Sequence, residues 1–293
     1  MRIGIVILPD QRWADSAHRW RQAEQWGFDH AWTYDHLGWR DLVDGPWFDA
    51  MSTLTAAATV TSRIRLGTLV TSPNFRHPVH LARQVTALDD VSAGRLVLGV
   101  GSGGTGFDGD VLRAPPLPPK VRTAPFGEFV ELLHLILRQD RTTWRGEHFA
   151  AVDARSTPGC VQLPRVPFVV AANGPRAMRL TARYGQGWVT TGPGGDDLDQ
   201  WWRGTADLVA RMDAELAAAG RDPADLDRYL LLDSAPVYSL SSVGYFVEAV
   251  DRAAALGFTD VLTHWPRRSS WYAGDESVLE EVATTVLPRL RSR

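Results

Sequence analysis

GTLVTSPNFRHPVHLARQVTALDDVSAGRLVLGVGSGG, residues 67–104, reads as strand, loop, helix, strand and glycine-rich loop. Residues 65–70 form a short apolar run bounded by turn formers. Over 77–91, Leu81, Val85 and Leu88 fall one helical turn apart, and 95–100 is a second apolar run that ends in glycines. Parallel strands need a crossover of this length, so the stretch is one βαβ unit. Both strands point their C-terminal ends at one region, and that is where chemistry is expected.

The same rhythm extends in both directions. Strands are expected over 3–8, 30–34, 168–171, 187–190, 229–234 and 259–263, and helices over 15–26, 48–61, 126–137, 175–184, 198–219, 243–256 and 276–290. Gly27 and Gly220 stand where two of these helices should stop. Residues 142–152 read as a small hairpin outside the main sheet. Eight strands alternating with helices, with no compositional break across 1–293, predict a single α/β domain, a (β/α)8 TIM barrel; an open doubly wound sheet is the competing arrangement. The rhythm breaks at 101–125, where Pro115, Pro116, Pro118 and Pro119 oppose helix formation. This insertion after strand four is expected to be a lid-like loop.

Composition narrows the function classes. The chain of 293 residues is 44% hydrophobic, with 12 Trp and 10 Phe, enough for a large core. A net charge of -3 argues against a nucleic-acid binder that depends on a basic field. Cys160 is the only cysteine, which excludes an intrachain disulfide framework and fits a reducing cytoplasm. Residues 2–9, RIGIVILP, are too short for a membrane span and lack a signal-peptide cleavage site, so a soluble, cytoplasmic protein is expected.

Gly99, Gly101 and Gly104 match G-x-G-x-x-G, but no helix is expected to follow whose N-terminus could hold a pyrophosphate, so a dinucleotide fingerprint is rejected. These glycines either turn the chain or let backbone approach a flat ligand. Asp35-His36 ends the second strand, the side of a barrel that carries active sites. A histidine whose tautomer is fixed by a neighbouring carboxylate can transfer a proton near neutral pH; the plainer alternative is a turn cap beside an ordinary rim histidine. Ala171-Ala172-Asn173-Gly174-Pro175 and Thr190-Thr191-Gly192-Pro193-Gly194 are either ordinary strand-to-helix turns or an anion cradle, with Arg176 adding a charge-assisted contact. The chain has no His-x-His, His-Glu-x-x-His, Gly-x-Ser-x-Gly or Gly-x-x-x-x-Gly-Lys-Ser/Thr motif, so no metal is expected and the hydrolase and P-loop readings have no support.

YDHL after strand two, RIRLGTLVTSPNFRHP around strand three, LDDVSAGRLVLGVGSGG around strand four, VAANGP after strand five and YGQGWVTTG around strand six stand in this order along the chain. Together they resemble the bacterial luciferase-like flavin and deazaflavin oxidoreductases, and most of all the branch using the 8-hydroxy-5-deazaflavin coenzyme F420. The resemblance runs from Ile3 to about Gly192 and is weaker beyond. It implies a barrel with the coenzyme ring at the C-terminal ends of the strands, backed by a non-proline cis peptide at Leu69-Val70. It further implies that Asp35 contacts the ring, that His36 donates or accepts the proton, and that Trp39 lines the substrate side. Ser102 and Gly103 would lie along the ring or ribityl chain, and Ala171, Ala172, Asn173, Thr191 and Gly192 would hold the ribityl and phosphate end. Arg176 and Arg179, with arginines of the insertion, would line the coenzyme's acidic tail.

One departure bears on the substrate. The family's sugar-phosphate dehydrogenases carry a glutamate where this chain has Gly104, which argues against sugar-phosphate oxidation. The activity implied is hydride transfer between F420 and a small molecule bearing an activated C=C, C=N or C–OH group. Two other readings stand beside it: an FMN-dependent monooxygenase served by a flavin reductase partner, and a coenzyme-binding carrier or regulatory barrel without turnover. A homodimer is expected from the family.

Overall fold

Ile3, Ile5 and Ile7 pack outward with the helices, while Val6 and Leu8 point into a second, inner cluster, and this alternation is what closes the sheet. The computed structural model describes residues 1–104, 106–112 and 119–291. Its first half runs β1 (Arg2–Val6), α1 (Trp13–Gln25), β2 (His30–Thr33), α2 (Ala50–Val60), β3 (Arg65–Thr68), α3 (Pro78–Val91), β4 (Leu96–Val100), α4 (Phe107–Val111) and α5 (Pro119–Ile136). A two-stranded antiparallel sheet follows, β5 (Arg141–Arg145) and β6 (Ala150–Arg155). The second half is β7 (Phe168–Ala171), α6 (Pro175–Tyr184), β8 (Gly187–Thr190), α7 (Leu198–Ala218), β9 (Asp227–Leu231), α8 (Val243–Ala255), β10 (Asp260–His264), α9 (Glu276–Glu281) and α10 (Leu287–Arg291).

The strands form a closed parallel barrel in the order β1-β10-β9-β8-β7-β4-β3-β2, with β5-β6 apart from it. The eightfold alternation expected from the sequence is therefore present, and the open-sheet alternative is excluded. Trp32, Tyr34, Leu69, Val97, Val189, Tyr229 and Leu262 fill the barrel interior. Trp32 stands opposite Gly67 across the β2-β3 pair, and a Cβ on Gly67 would come within 2.3 Å of the indole. The glycine is what lets so large a side chain cross the barrel.

Four expectations need correction. The strand placed at 229–234 ends at Leu231 and turns into a 3-10 segment, Leu232–Ser234, because Asp233 accepts the Ser239 and His264 amides and draws the chain inward. The last helix is not continuous over 276–290: a π turn, Val282–Val286, precedes Pro288, which has no N–H to continue the regular ladder. Helix α5 starts at Pro119 rather than 126. Proline is tolerated in a first helical turn, where its missing N–H has no partner anyway, and Pro125 lies inside the helix at the loss of one backbone bond. The insertion 101–125 thus contains helical segments, α4 and the start of α5; its residues 105 and 113–118, and the lid-like conformation expected of them, lie outside the described residues.

Local polar clamps set the strand entries. Glu24 at the end of α1 accepts the amides of Ser62, Arg63 and Ile64 just before β3. Burial alone would raise its pKa, but those amides outweigh it and hold it at about 2. Glu24→Gln is expected to cost about 1–2 kcal/mol at pH 7, a range that allows for solvent screening of a half-exposed group. Because the folded pKa is depressed, this contribution is full above the ordinary carboxylate range and fades as pH falls toward 2. The gap between the urea midpoints of the two proteins should narrow over that interval.

Candidate active site

The C-terminal ends of the barrel strands enclose a cavity of about 480 Å³ lined by Tyr34, His36, Trp39, Leu69, Val70, Ser102, Gly103, Ala171, Ala172, Asn173, Thr191 and Tyr272, among others. A cleft of about 420 Å³ adjoins it, sharing His36, Trp39 and Arg40 and adding Asn74, Phe107 and Asp108. His36 stands where the two meet.

His36 Nδ1 lies 2.7 Å from Asp108 Oδ2, and the Leu37 amide donates to Asp108 Oδ1 at 2.7 Å. Asp108, buried in the first turn of α4, therefore accepts both. A carboxylate fixed in this way holds the proton on Nδ1 and leaves Nε2 as the outward nitrogen. The expectation that Asp35 orients His36 is corrected here. Successive residues at a strand end face opposite ways, and the Asp35 carboxylate is turned into the protein, 1% exposed. Arg76 Nη2 donates to its Oδ1 at 2.6 Å, and Thr71 Oγ1 to its Oδ2 at 2.8 Å. Arg76 also reaches Asp49, which caps α2. Asp35 thus ties the strand-two loop to the segment after β3 and does not line the cavity.

Strand three ends in a cis peptide at Leu69-Val70, after which Thr71 pairs with Val100. Val70 and Leu69 form one apolar wall of the cavity. The loop after β4 packs close against this wall because of its glycines: a Cβ on Gly101 would fall 2.6 Å from Val70, and Gly103, at φ +70°, leaves room for Asn74, whose amide donates to the Gly104 carbonyl. At the other end, Asn173 stitches β7 to β8. Its Oδ1 accepts from Thr190 at 2.6 Å, and its Nδ2 donates to the Gly192 carbonyl and toward Thr191 Oγ1. The cavity thus has one apolar wall and hydroxyl and amide groups at the other end, a lining suited to a flat ring with a polar tail.

Trp39 stacks on Tyr272 at 6.0 Å and meets Tyr34 and Trp271 edge-on, while Arg40 lies over Trp39 and Trp271. Arg176 does not join the cavity. With Arg179 and Arg183 it lines a separate groove of about 500 Å³ along α5, α6 and α7, where it contacts Thr123. The helical register explains this, since the first turn of α6 carries that side chain to the outer face of the barrel. Asp108, Asn74, Arg76, Tyr34 and Tyr272 were missed by the sequence reading. Tyr34 and Tyr272 were the most accessible to it, as polar aromatics near the C-terminal ends of strands two and eight. Among the described residues no group of three or more His, Cys, Asp or Glu could hold a metal ion, and no helix is long and apolar enough to cross a membrane.

Comparison with known proteins agrees with this architecture. The family model described as luciferase-like monooxygenase matches residues 1–235. An F420-dependent glucose-6-phosphate dehydrogenase of Beutenbergia cavernae is 31% identical, over 92% of this chain and 91% of that protein. Two solved structures share the fold at 19% identity. The F420-dependent secondary alcohol dehydrogenase in complex with an F420-acetone adduct has a TM-score of 0.81 over 99% of both chains. The coenzyme F420-dependent tetrahydromethanopterin reductase of Methanopyrus kandleri has a TM-score of 0.79 over 98% of this chain and 99% of that one. With the family model spanning most of the barrel and a curated relative matched almost end to end, this protein belongs to the luciferase-like monooxygenase family.

Proposed function

We propose that this chain is an F420-dependent oxidoreductase that exchanges a hydride with a small organic substrate. The observation that carries the reading is the cavity at the strand ends lined by Leu69, Val70, Ser102, Gly103 and Asn173, with the outward nitrogen of His36 at its side. The F420-dependent relatives supply the choice of coenzyme. When bound, the deazaflavin gives or takes the hydride. Val70 and Leu69 would back its ring, Ser102 and Gly103 would flank it, and Asn173, Thr190 and Thr191 would meet its polar chain. Gly192, at φ +68° with Trp201 behind it, keeps the β8 turn tight against Asn173. His36, held by Asp108, transfers a proton at Nε2 to or from the end of an activated C=C or C=N bond that does not receive hydride. Trp39 and the aromatic group around it exclude water from the substrate side.

The family description favours a second reading, an FMN-dependent monooxygenase that depends on a separate flavin reductase. Titrating the purified protein with oxidised F420 and, separately, with FMN separates the two through quenching of tryptophan fluorescence, since Trp39 borders the cavity. Saturable quenching by F420 is expected. Tight FMN binding with no response to F420 would overturn the first reading in favour of the second.

A further inference from the structure

Behind the cavity lies a line of hydrogen bonds that the proposed chemistry at His36 does not use. Asp233 Oδ2 accepts the His264 backbone amide at 2.6 Å and sits 2.8 Å from His264 Nδ1, and Asp233 Oδ1 accepts the Ser239 amide. His264 Nε2 is 2.8 Å from the Tyr34 hydroxyl, which is 2.9 Å from the Tyr272 hydroxyl. Tyr272 borders the cavity; His264 is fully buried. The Tyr272 ring lies flat on the His264 ring at 3.5 Å, and Trp39 also stacks with Tyr272 at 6.0 Å.

The polarity of this line follows from counting protons. Backbone amides can only donate, so Asp233 is an acceptor, and it accepts from Nδ1–H as well. Neutral His264 then has a bare Nε2, which must accept the single Tyr34 proton. Tyr34 has none left for Tyr272, so Tyr272 donates to Tyr34 and presents lone pairs to the cavity. We infer that Tyr272 is a second catalytic residue, the acceptor of a substrate hydroxyl proton, backed by a Tyr34–His264–Asp233 relay that carries the charge away from the cavity.

This rests on the F420 reading and assigns the C–OH class of substrate to a group distinct from His36. In the step, the hydroxyl proton of a carbinol passes to the Tyr272 oxygen as the Tyr272 proton moves to Tyr34 and the Tyr34 proton to His264 Nε2. The carbinol C–H electron pair leaves as hydride to an oxidised deazaflavin, and the C–O bond becomes a carbonyl. His264 ends as an imidazolium against Asp233, and carbonyl reduction runs the same path backward. Burial lowers the His264 pKa against the opposing pull of Asp233 and pushes that of Tyr272 up to about 12, so both rest neutral, as the polarity requires. Arg40, Tyr238, whose hydroxyl donates to the His264 carbonyl, and His36, edge-on to Tyr34 at 6.1 Å, also surround the relay.

Two measurements test it. The first uses coenzyme-free protein with 15N-labelled histidine, with His264 assigned through a His264→Gln variant. A neutral Nδ1–H ring with bare Nε2 at pH 7 is expected; an Nε2–H tautomer reverses the line and overturns the relay. The second follows oxidation of a panel of primary and secondary alcohols by F420-loaded enzyme. Tyr272→Phe keeps the stacked ring and should lower kcat about 100-fold, with KM changed only a few-fold. Tyr34→Phe should lower it similarly, and the double variant little further, because the two act as one path. A Tyr272→Phe kcat within threefold of wild type, or a wild-type enzyme that reduces activated alkenes but oxidises none of the alcohols, overturns the catalytic assignment. Failure of F420 to bind overturns the functional reading and the alcohol step with it, while the bare-Nε2 tautomer in the same preparation still supports the inward relay.

Discussion

His36→Asn lowers kcat for reduction of an activated C=C or C=N substrate by about 10²–10⁴-fold, the range set by loss of a positioned acid–base group. Affinity for the coenzyme, read by tryptophan quenching, should stay within a few-fold of wild type, because the slot walls are made by Val70, Ser102, Asn173 and their neighbours. Asp108→Asn should reproduce a large part of the loss without removing the imidazole. The Leu37 amide can only donate, so it holds the Asn carbonyl oxygen in the place of Oδ1 and turns the amide N–H toward His36 Nδ1. Nδ1 must then accept, the doubly protonated ring that a carboxylate partner supports is lost, and an outward N–H on the remaining neutral ring could give up its proton only by leaving an imidazolate. Steady-state kinetics with a panel of enones and imines checks both variants. A kcat for His36→Asn within threefold of wild type would remove this residue from proton transfer.

Much of the barrel was legible because its signals are local. Apolar runs such as Leu96–Val100, stop glycines such as Gly27 and the repeat of strand and helix each depend on a few neighbouring residues. The positions of His36 and Asn173 on the rim followed from the same rhythm once a barrel was expected, while those of Trp39 and Ser102 came from the family resemblance. What joins them was not legible. Asp108 lies 72 positions from His36 inside a glycine- and proline-rich segment, and only the five-residue turn of α4 brings it there. The adjacent Asp35 was the economical choice from sequence, yet strand alternation sends neighbours to opposite sides. Asp233 was hidden inside what read as continuous strand. Its partner His264 ends β10, which reaches β1 only when the barrel closes, and the Tyr34 hydroxyl that meets His264 follows β2 on the other side of β1.

Arg76→Met is expected to destabilise the protein by about 3–5 kcal/mol, more than any change on the rim, because it strands a buried charge. Asp35 is 1% exposed and, among the described residues, would keep only Thr71 as a side-chain partner, whereas Asp49 is half exposed and retains the Ser52 amide. The double variant Arg76→Met with Asp35→Asn should recover a substantial part of the loss, since no uncompensated charge then remains; urea unfolding of all four proteins in the cycle measures this coupling. The acid limb carries a second sign. Burial would raise the Asp49 pKa, but the Ser52 amide and Arg76 outweigh it and hold it below the ordinary carboxylate range. Its contribution is thus present above that range and lost as pH falls, and Arg76→Met should flatten this dependence. A single variant as stable as wild type would mean that the pair is not needed to hold the loop. Loss of the pair should reach the active site as well: Asp35 is bonded to His36 in the chain, so freeing its carboxylate releases the anchor immediately before the proposed proton-transfer residue. At temperatures where Arg76→Met remains folded, its kcat should fall while far-UV circular dichroism is unchanged, and the Asp35→Asn partner change should restore stability more fully than turnover.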